Sequence, residues 1–252
     1  MMKRQYTIFE IEYPKLRRKS SDTYAIIAAV EVIFLHFEYG SEAIEFLKSR
    51  DDLLGEAIER IGHIYRTVDS DLFSSVIHHI IGQQISTRAQ ATIWQRLNDR
   101  IENINPDAIC SLESNELQKI GMTFRKTEYI KDFAQKIKTK EFDIDALVNQ
   151  PDTVVVKELS SLNGIGIWTA EMIMTFCMQR PNIVSYGDLA IHRGMRMLYH
   201  HRSIDKKKFE KYARRYSPYG TVASLYLWAI AGGAIDGMRD YAPKKKREVV
   251  KK

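Results

Sequence analysis

The sequence predicts an all-α fold on three observations. Apolar residues recur at helical spacing from Ser41 onward, and most of these runs open on a capping residue or stop at a glycine. No alternating strand pattern recurs after them. No internal repeat is visible. At 252 residues the chain is long enough to bury a substantial core, as one large or two intimate helical domains.

Residues 1–38 stand apart as an N-terminal extension. TIFEIEY alternates, Lys15 to Lys19 is basic, and the apolar run Ala25 to Phe37, interrupted by Glu31, reads equally as a strand pair or a buried helix. The extension is predicted as β or irregular, with no function attached. Ser41 is placed to cap SEAIEFLKS, with Glu42 in its first turn. In DDLLGEAIERIG, Leu53, Leu54, Ala57, Ile58 and Ile61 form one face and Gly62 ends it. Asp71 caps DLFSSVIHHIIG, which runs to Gly82. Ser86 opens a long amphipathic helix, STRAQATIWQRLNDRIEN, with Ala89, Ile93, Leu97 and Ile101 inward. Asn105 and Pro106 start the next helix, Gly121 closes SNELQKIG, and FRKTEYIKDFAQKIK and the segment from Asp143 to Val148 add two more. LAIHRGMRMLYH, KKKFEKYARRY and TVASLYLWAIAGG complete the set. From about residue 242, PKKKREVVKK reads as a disordered basic tail.

A net charge of +6 and a pI near 9.1 favour an anionic partner. Nucleic acid fits, and a membrane surface fits less well, because no long basic amphipathic helix stands out. The longest apolar stretch is too short to span a bilayer, and the basic start leads into charged residues instead of a secretory core. The protein is therefore expected to be intracellular, in cytoplasm or nucleoid. Cys110 and Cys177 are too few for a disulfide framework. His78–His79 and His200–His201 are adjacent pairs without an acidic cluster, so no metal site is assigned. Lys206 to Lys208 with Lys211, Arg214 and Arg215, and Arg125 with Lys126, read either as solvated faces or as neighbours of phosphates.

The most informative stretch runs from Leu159 to Met195. Leu159 and Leu162 close one helix, Asn163 exits it, Gly164 and Gly166 flank the apolar pin Ile165, and Ala170 and Ile173 begin a second helical face. Glycine belongs where the chain takes positive φ or backbone approaches another molecule. A helix opening at Gly166 leaves its first amides without partners, and such amides attract a phosphate. Further on, Asp188 precedes LAIHRGMRML and by local sequence is an N-cap. Capping fixes a carboxylate in place and the helix dipole favours its charged form, so a structural role there is compatible with a chemical one.

The order h-x-x-h-x-G-h-G-x-x-x-A-x-x-h followed by an aspartate resembles the helix-hairpin-helix (HhH-GPD) DNA glycosylase superfamily. GIGIWTAEM with Asp188 looks most like its 3-methyladenine DNA glycosylase II, or alkylbase, branch. The resemblance covers roughly residues 50 to 235 with the hairpin at about 159–173, and it makes residues 39–252 the glycosylase domain. It implies two helical subdomains with a DNA-binding cleft between them. It also implies a monomer acting on double-stranded DNA that contains damaged bases, and base-excision repair by hydrolytic removal of alkylated purines such as 3-methyladenine. Asp188 corresponds to the catalytic carboxylate, which stabilises the oxocarbenium character of the deoxyribose in the transition state. Gly164, Gly166 and Thr169 correspond to the hairpin that holds the DNA backbone. The resemblance implies no required cofactor, and a monovalent cation at the hairpin backbone when DNA is bound. In IIGQQISTRAQ, read alone as a polar loop entering a helix, Gln84 matches the residue that fills the gap left by the extruded nucleotide.

Trp168 and Trp228, the latter ending the P-x-x-x-x-A-x-x-x-x-W helix from Pro218, correspond to walls of the base pocket, and Tyr186 is a third. Aromatic faces replace stacking lost on extrusion, worth about 1–3 kcal/mol per base, and cationic alkylated purines add a cation–π attraction. Three departures matter. Gly220 and Thr221 stand where the family often has Arg-Ser. No four-cysteine cluster follows Asp188, so the iron–sulfur loop of the endonuclease III branch is absent. Bifunctional members carry a nucleophilic lysine at the position of Trp168, so the resemblance implies a monofunctional glycosylase without AP-lyase activity. Two other readings stay open: a glycosylase for deaminated or oxidised bases, and a non-catalytic helix-hairpin-helix protein that binds damaged DNA.

Overall fold

A computed structural model of the chain describes residues 35–243. Their regular structure is helical, and the β pairing among them is one isolated antiparallel bridge between His36 and Thr67. The helices are α1 (Ser41–Arg50), α2 (Asp52–Ile61), α3 (Leu72–Gly82), α4 (Thr87–Arg100), α5 (Pro106–Ser111), α6 (Ser114–Lys119), α7 (Phe124–Lys138), α8 (Asp152–Ser161), α9 (Ile167–Phe176), α10 (Leu189–Tyr199), α11 (Lys206–Tyr216) and α12 (Gly220–Gly232). Residues 1–34 of the N-terminal extension and the tail beyond 243 lie outside the described residues. Phe37, from the end of that extension, is buried against the first of two cores.

Local chemistry sets most helix starts. Asp51, Asp71, Ser86, Asn105, Thr123 and Asp205 each accept a hydrogen bond from the backbone N–H three residues on, satisfying one otherwise orphaned donor. Four expectations need correction. Ser41 is the first helical residue behind Gly40, and no side chain caps α1. Leu53 points outward at 45% exposure, because Leu54, Ala57 and Ile58 form the buried face of α2. Of the four residues expected inside α4, Leu97 alone is fully buried, because that helix packs chiefly on α3 at the edge of the fold. The segment near Asp143 to Val148 is a short 3-10 turn, Asp145–Asn149, in which Asp143 accepts from the amide of Ala146.

The two cores divide the chain unevenly. The first gathers α1, α2, α10, α11 and α12, so both ends of the described chain meet in it. The second gathers α3 to α8, the stretch between. Helices apolar all round belong in interiors, and α9 and α12 are such helices. α12 is buried along nearly its whole length in the first core. α9 is shared, with Met172 and Phe176 in the first core and Ala170, Ile173 and Met174 in the second. α10 meets α12 at Gly194, where an added Cβ would lie 2.3 Å from the carbonyl oxygen of Leu227; only glycine permits that approach. The buried carboxylate of Asp51 joins α2 to α10 and α11, accepting from Tyr199 Oη (2.8 Å) and Arg215 (2.5 Å). No described helix is long and apolar enough to cross a membrane.

Candidate active site and nucleic-acid interface

α9 and α10 both begin close to one another in space, and the difference between their first residues shapes the site. α10 is capped by Asp188, whose Oδ1 accepts from the amides of Ala190 and Ile191, both at 2.8 Å. Its other oxygen, Oδ2, accepts from the indole Nε1–H of Trp168 on α9 at 2.9 Å. The carboxylate is 7% exposed, so three N–H donors fix it in one orientation with little access to water. Trp168 keeps 40% of its surface exposed while its N–H is engaged.

One turn along α9, Glu171 places a second carboxyl beside the first. The hydroxyl of Ser185, itself fully buried, donates to Glu171 Oε2. Burial raises the Glu171 pKa above its ordinary value; the Ser185 hydrogen bond opposes that shift and the nearby Asp188 charge adds to it. The loop from Arg180 to Asp188 is held at its other end by α12. Thr221 Oγ1 donates to the carbonyl of Arg180 (2.5 Å) and accepts from the amide of Ile183 (2.9 Å), and Ser224 Oγ donates to the carbonyl of Ile183 (2.8 Å). Asp188 is therefore the end of a loop tied down by two helices before it caps a third.

The aromatic candidates are placed differently. Tyr186 is exposed and packs edge-on against His192 of α10 and Phe209 of α11, with ring centroids 5.1 and 5.0 Å away. His192 also bonds the Tyr186 carbonyl at 2.8 Å, which sets the loop two residues before Asp188. Trp228 is half-buried on α12, packed on the first core with its ring 5.4 Å from Phe176. Trp168 and Asp188 are joined directly, whereas Trp228 and Tyr186 each rest on their own aromatic neighbours.

The hairpin lies between α8 and α9. Ile165 is buried as its pin, and Gly166 opens α9 without any side-chain cap, so the first amides of that helix have no intrahelical partner. Thr169, the third residue of α9, is buried at 6% exposure. Gly164 has φ +84°, and a Cβ there would stand 2.3 Å from the ring of Tyr129. Its carbonyl accepts from Gln83 Nε2 at 2.7 Å. The neighbouring Gln84 is exposed at the exit of α3 with φ 59°.

Sequence reasoning missed Glu171, Ser185, Thr221 and Ser224 as supports of Asp188, and Gln83 as the strut between the two loops. A signal existed for Glu171, which follows Trp168 by three positions and so shares its helical face.

Comparison with known proteins places the chain in a family and a fold. Residues 77–218 match the family described as HhH-GPD superfamily base excision DNA repair protein. The chain is 28% identical over 182 residues to DNA-3-methyladenine glycosylase 1 of Schizosaccharomyces pombe, covering 69% of this chain and 78% of that one. It superimposes on the crystal structure of a DNA-3-methyladenine glycosidase from Bacillus halodurans with a TM-score of 0.71 and 29% identity, covering 82% of this chain and 97% of the other. The Schizosaccharomyces pombe 3-methyladenine DNA glycosylase in complex with abasic DNA shares the fold, with a TM-score of 0.66 at 22% identity, over 75% and 95% of the two chains. Against a Bacillus subtilis relative, 24% identical over 173 residues, the match spans 59% of that relative's length.

Proposed function

The chain belongs to the HhH-GPD superfamily of base excision DNA repair proteins, and from that premise we propose that it is a monofunctional DNA glycosylase that extrudes alkylated purines of the 3-methyladenine kind from duplex DNA and removes them by hydrolysis. The observation that carries the proposal is the Asp188 carboxylate, held by two backbone amides and the indole N–H of the exposed Trp168. As the N-glycosidic bond breaks, its electron pair leaves with the base and positive charge develops on the deoxyribose. A pre-oriented carboxylate stabilises that charge without reorganising, which is the condition for lowering the barrier and not merely binding substrate. Water then adds to the sugar carbon and loses a proton, leaving an abasic site and a free base.

Each remaining candidate has a part. Trp168, Trp228 and Tyr186 supply faces for the extruded base, and a cationic alkylated purine is bound by them more strongly than a neutral one. The uncapped amides after Gly166 take a phosphate, with Gly164 and Thr169 shaping the turn. A monovalent cation would sit on the hairpin backbone and supply fixed positive charge beside the phosphate; the Gly164 carbonyl is already engaged by Gln83 and that of Leu162 by the amide of Ile165. Gln84 enters the gap in the duplex. The position that would need an amine for lyase chemistry is occupied by an indole committed to Asp188, which supports hydrolysis without β-elimination. Action as a monomer is part of the same proposal.

The test is base release from methylated duplex DNA by the parent protein and Asp188→Asn, with alkali to reveal abasic sites. Free 3-methyladenine from the parent alone, with strand breaks only after alkali, supports the whole reading. Strand breaks without alkali would overturn the monofunctional assignment. Equal release by the variant would overturn the assignment of Asp188, and no release by either protein, with tight binding retained, would favour a non-catalytic damaged-DNA-binding role.

A further inference from the structure

Gln84 stands in left-handed backbone conformation without being a glycine, so something must hold it there. α3 ends at Gly82, and the last carbonyls of a helix lack intrahelical partners. Lys126 of α7 reaches this end: its Nζ donates to the carbonyl of Ile81 at 2.7 Å and to that of Gln83 at 2.6 Å. A cation is favoured at a helix C-terminus, but the second of these bonds reaches beyond the helix, to the residue immediately before Gln84. Gln83 in turn sends its side-chain amide to the Gly164 carbonyl in the hairpin. Tyr129, one turn further along α7 than Lys126, lies directly under Gly164. One helix therefore underlies both loops, with an ammonium beneath one and an aromatic ring beneath the other.

We propose that Lys126 is a positioning residue for base extrusion: by holding the Ile81 and Gln83 carbonyls it sets the turn that presents Gln84 and, through Gln83, locks that turn to the phosphate-binding hairpin. The inference rests on the reading of Gln84 as the residue that fills the gap in the duplex. With both loops fixed to α7, the spacing between wedge and phosphate site is set before DNA arrives, and no loop has to be ordered on binding. A basic residue next to Arg125 thus acts on the protein's own backbone and not on a phosphate.

The experiment uses the full chain with Lys126→Met, Lys126→Arg, Gln83→Ala and Gln84→Ala. Single-turnover excision of one methylated purine is compared between a fully paired duplex and the same strand with the lesion in an unpaired bubble, where the base is already unstacked and a wedge has little to do. Thermal unfolding of each variant is followed in parallel. Lys126→Met is expected to slow duplex excision roughly ten- to a hundredfold, the range for losing a hydrogen bond to a charged group, and Gln83→Ala, which loses a neutral amide–carbonyl bond, roughly two- to tenfold, each with a much smaller change on the bubble. Lys126→Arg is expected to restore most of the rate. Equal losses on duplex and bubble would make Lys126 a purely structural cap and overturn the inference, as would a parent-like duplex rate. Should Lys126→Met fail to fold, Gln83→Ala carries the same comparison. A duplex-specific loss in Gln84→Ala without one in the Lys126 and Gln83 variants sinks this inference alone. No effect of Gln84→Ala on the duplex sinks the wedge reading and this inference with it.

Discussion

Replacing Trp168 with phenylalanine keeps an aromatic face in the site and removes one hydrogen-bond donor. That donor is the indole N–H on Asp188 Oδ2, and Oδ1 stays anchored by the amides of Ala190 and Ile191. The carboxylate is thus loosened about one oxygen without being released. A hydrogen bond to a charged group contributes about 1.5–3 kcal/mol, and at 1.36 kcal/mol per decade of rate this is about a tenfold to 150-fold loss in single-turnover excision. Because the ring face is retained, substrate affinity should change little, so the loss falls on kcat and not on KM. Trp168→Ala supplies the control: it removes donor and face together, and its additional loss, about 1–3 kcal/mol, reports stacking of the base. Excision at the parental rate by the phenylalanine variant would show that the N–H does not orient Asp188. A faster rate would show that it mutes the charge the reaction needs.

Other perturbations probe the supports. Asp188→Asn preserves the shape but sets an amide N–H₂ against one of the donors now on the carboxylate; kcat should fall roughly 10²- to 10³-fold with abasic-DNA affinity retained in a gel-shift assay. Glu171 binds its proton more tightly in the folded state than in the unfolded one, so its contribution to stability declines as pH climbs from 4.5 through the raised value. Glu171→Gln keeps an acceptor for Ser185 and removes that titration. Its melting temperature relative to the parent should therefore rise between about pH 4 and about pH 8, and a constant difference would refute the assignment. Gly164→Ala should destabilise by about 2–5 kcal/mol in chemical denaturation, combining the left-handed backbone with the clash against Tyr129. Shortening Tyr129 in the same variant should recover the steric part only.

Much of this architecture is legible in the sequence because helix ends are local events. The α7 segment coincides with the predicted run FRKTEYIKDFAQKIK, and Asp71, Ser86, Asn105 and Asp188 cap where their spacing says they should. Burial is less legible, since it depends on what lies opposite: Leu53 and Ile93 carry the right period, but only one faces a core, and that one only partly. Long-range partners are the least legible. Lys126 reads in sequence as half of a basic pair, and nothing local distinguishes an ammonium that meets phosphate from one that meets a carbonyl. Thr221, which with Gly220 stands where the family often has Arg-Ser, proves to be buried with its hydroxyl between Arg180 and Ile183, so its side chain anchors the Asp188 loop.

The two helix starts in the site obey one rule and reach opposite ends. α9 and α10 each expose unpaired amides, and so carry partial positive charge, at their first turn. At α10 the preceding residue is Asp188, which satisfies those amides and is itself held as a fixed negative charge. At α9 the preceding residue is Gly166, which satisfies nothing and leaves the positive end free for a phosphate. The bond from Trp168, second residue of α9, to Asp188 ties these two ends together, while α9 itself is wedged between both cores. A fixed negative group and a free positive helix end, which the proposed function assigns to the sugar and a phosphate, are thereby set at a constant separation by the packing of one helix. A substitution that shifts α9, such as a larger side chain at fully buried Ala170, should move both together and lower excision without touching either group.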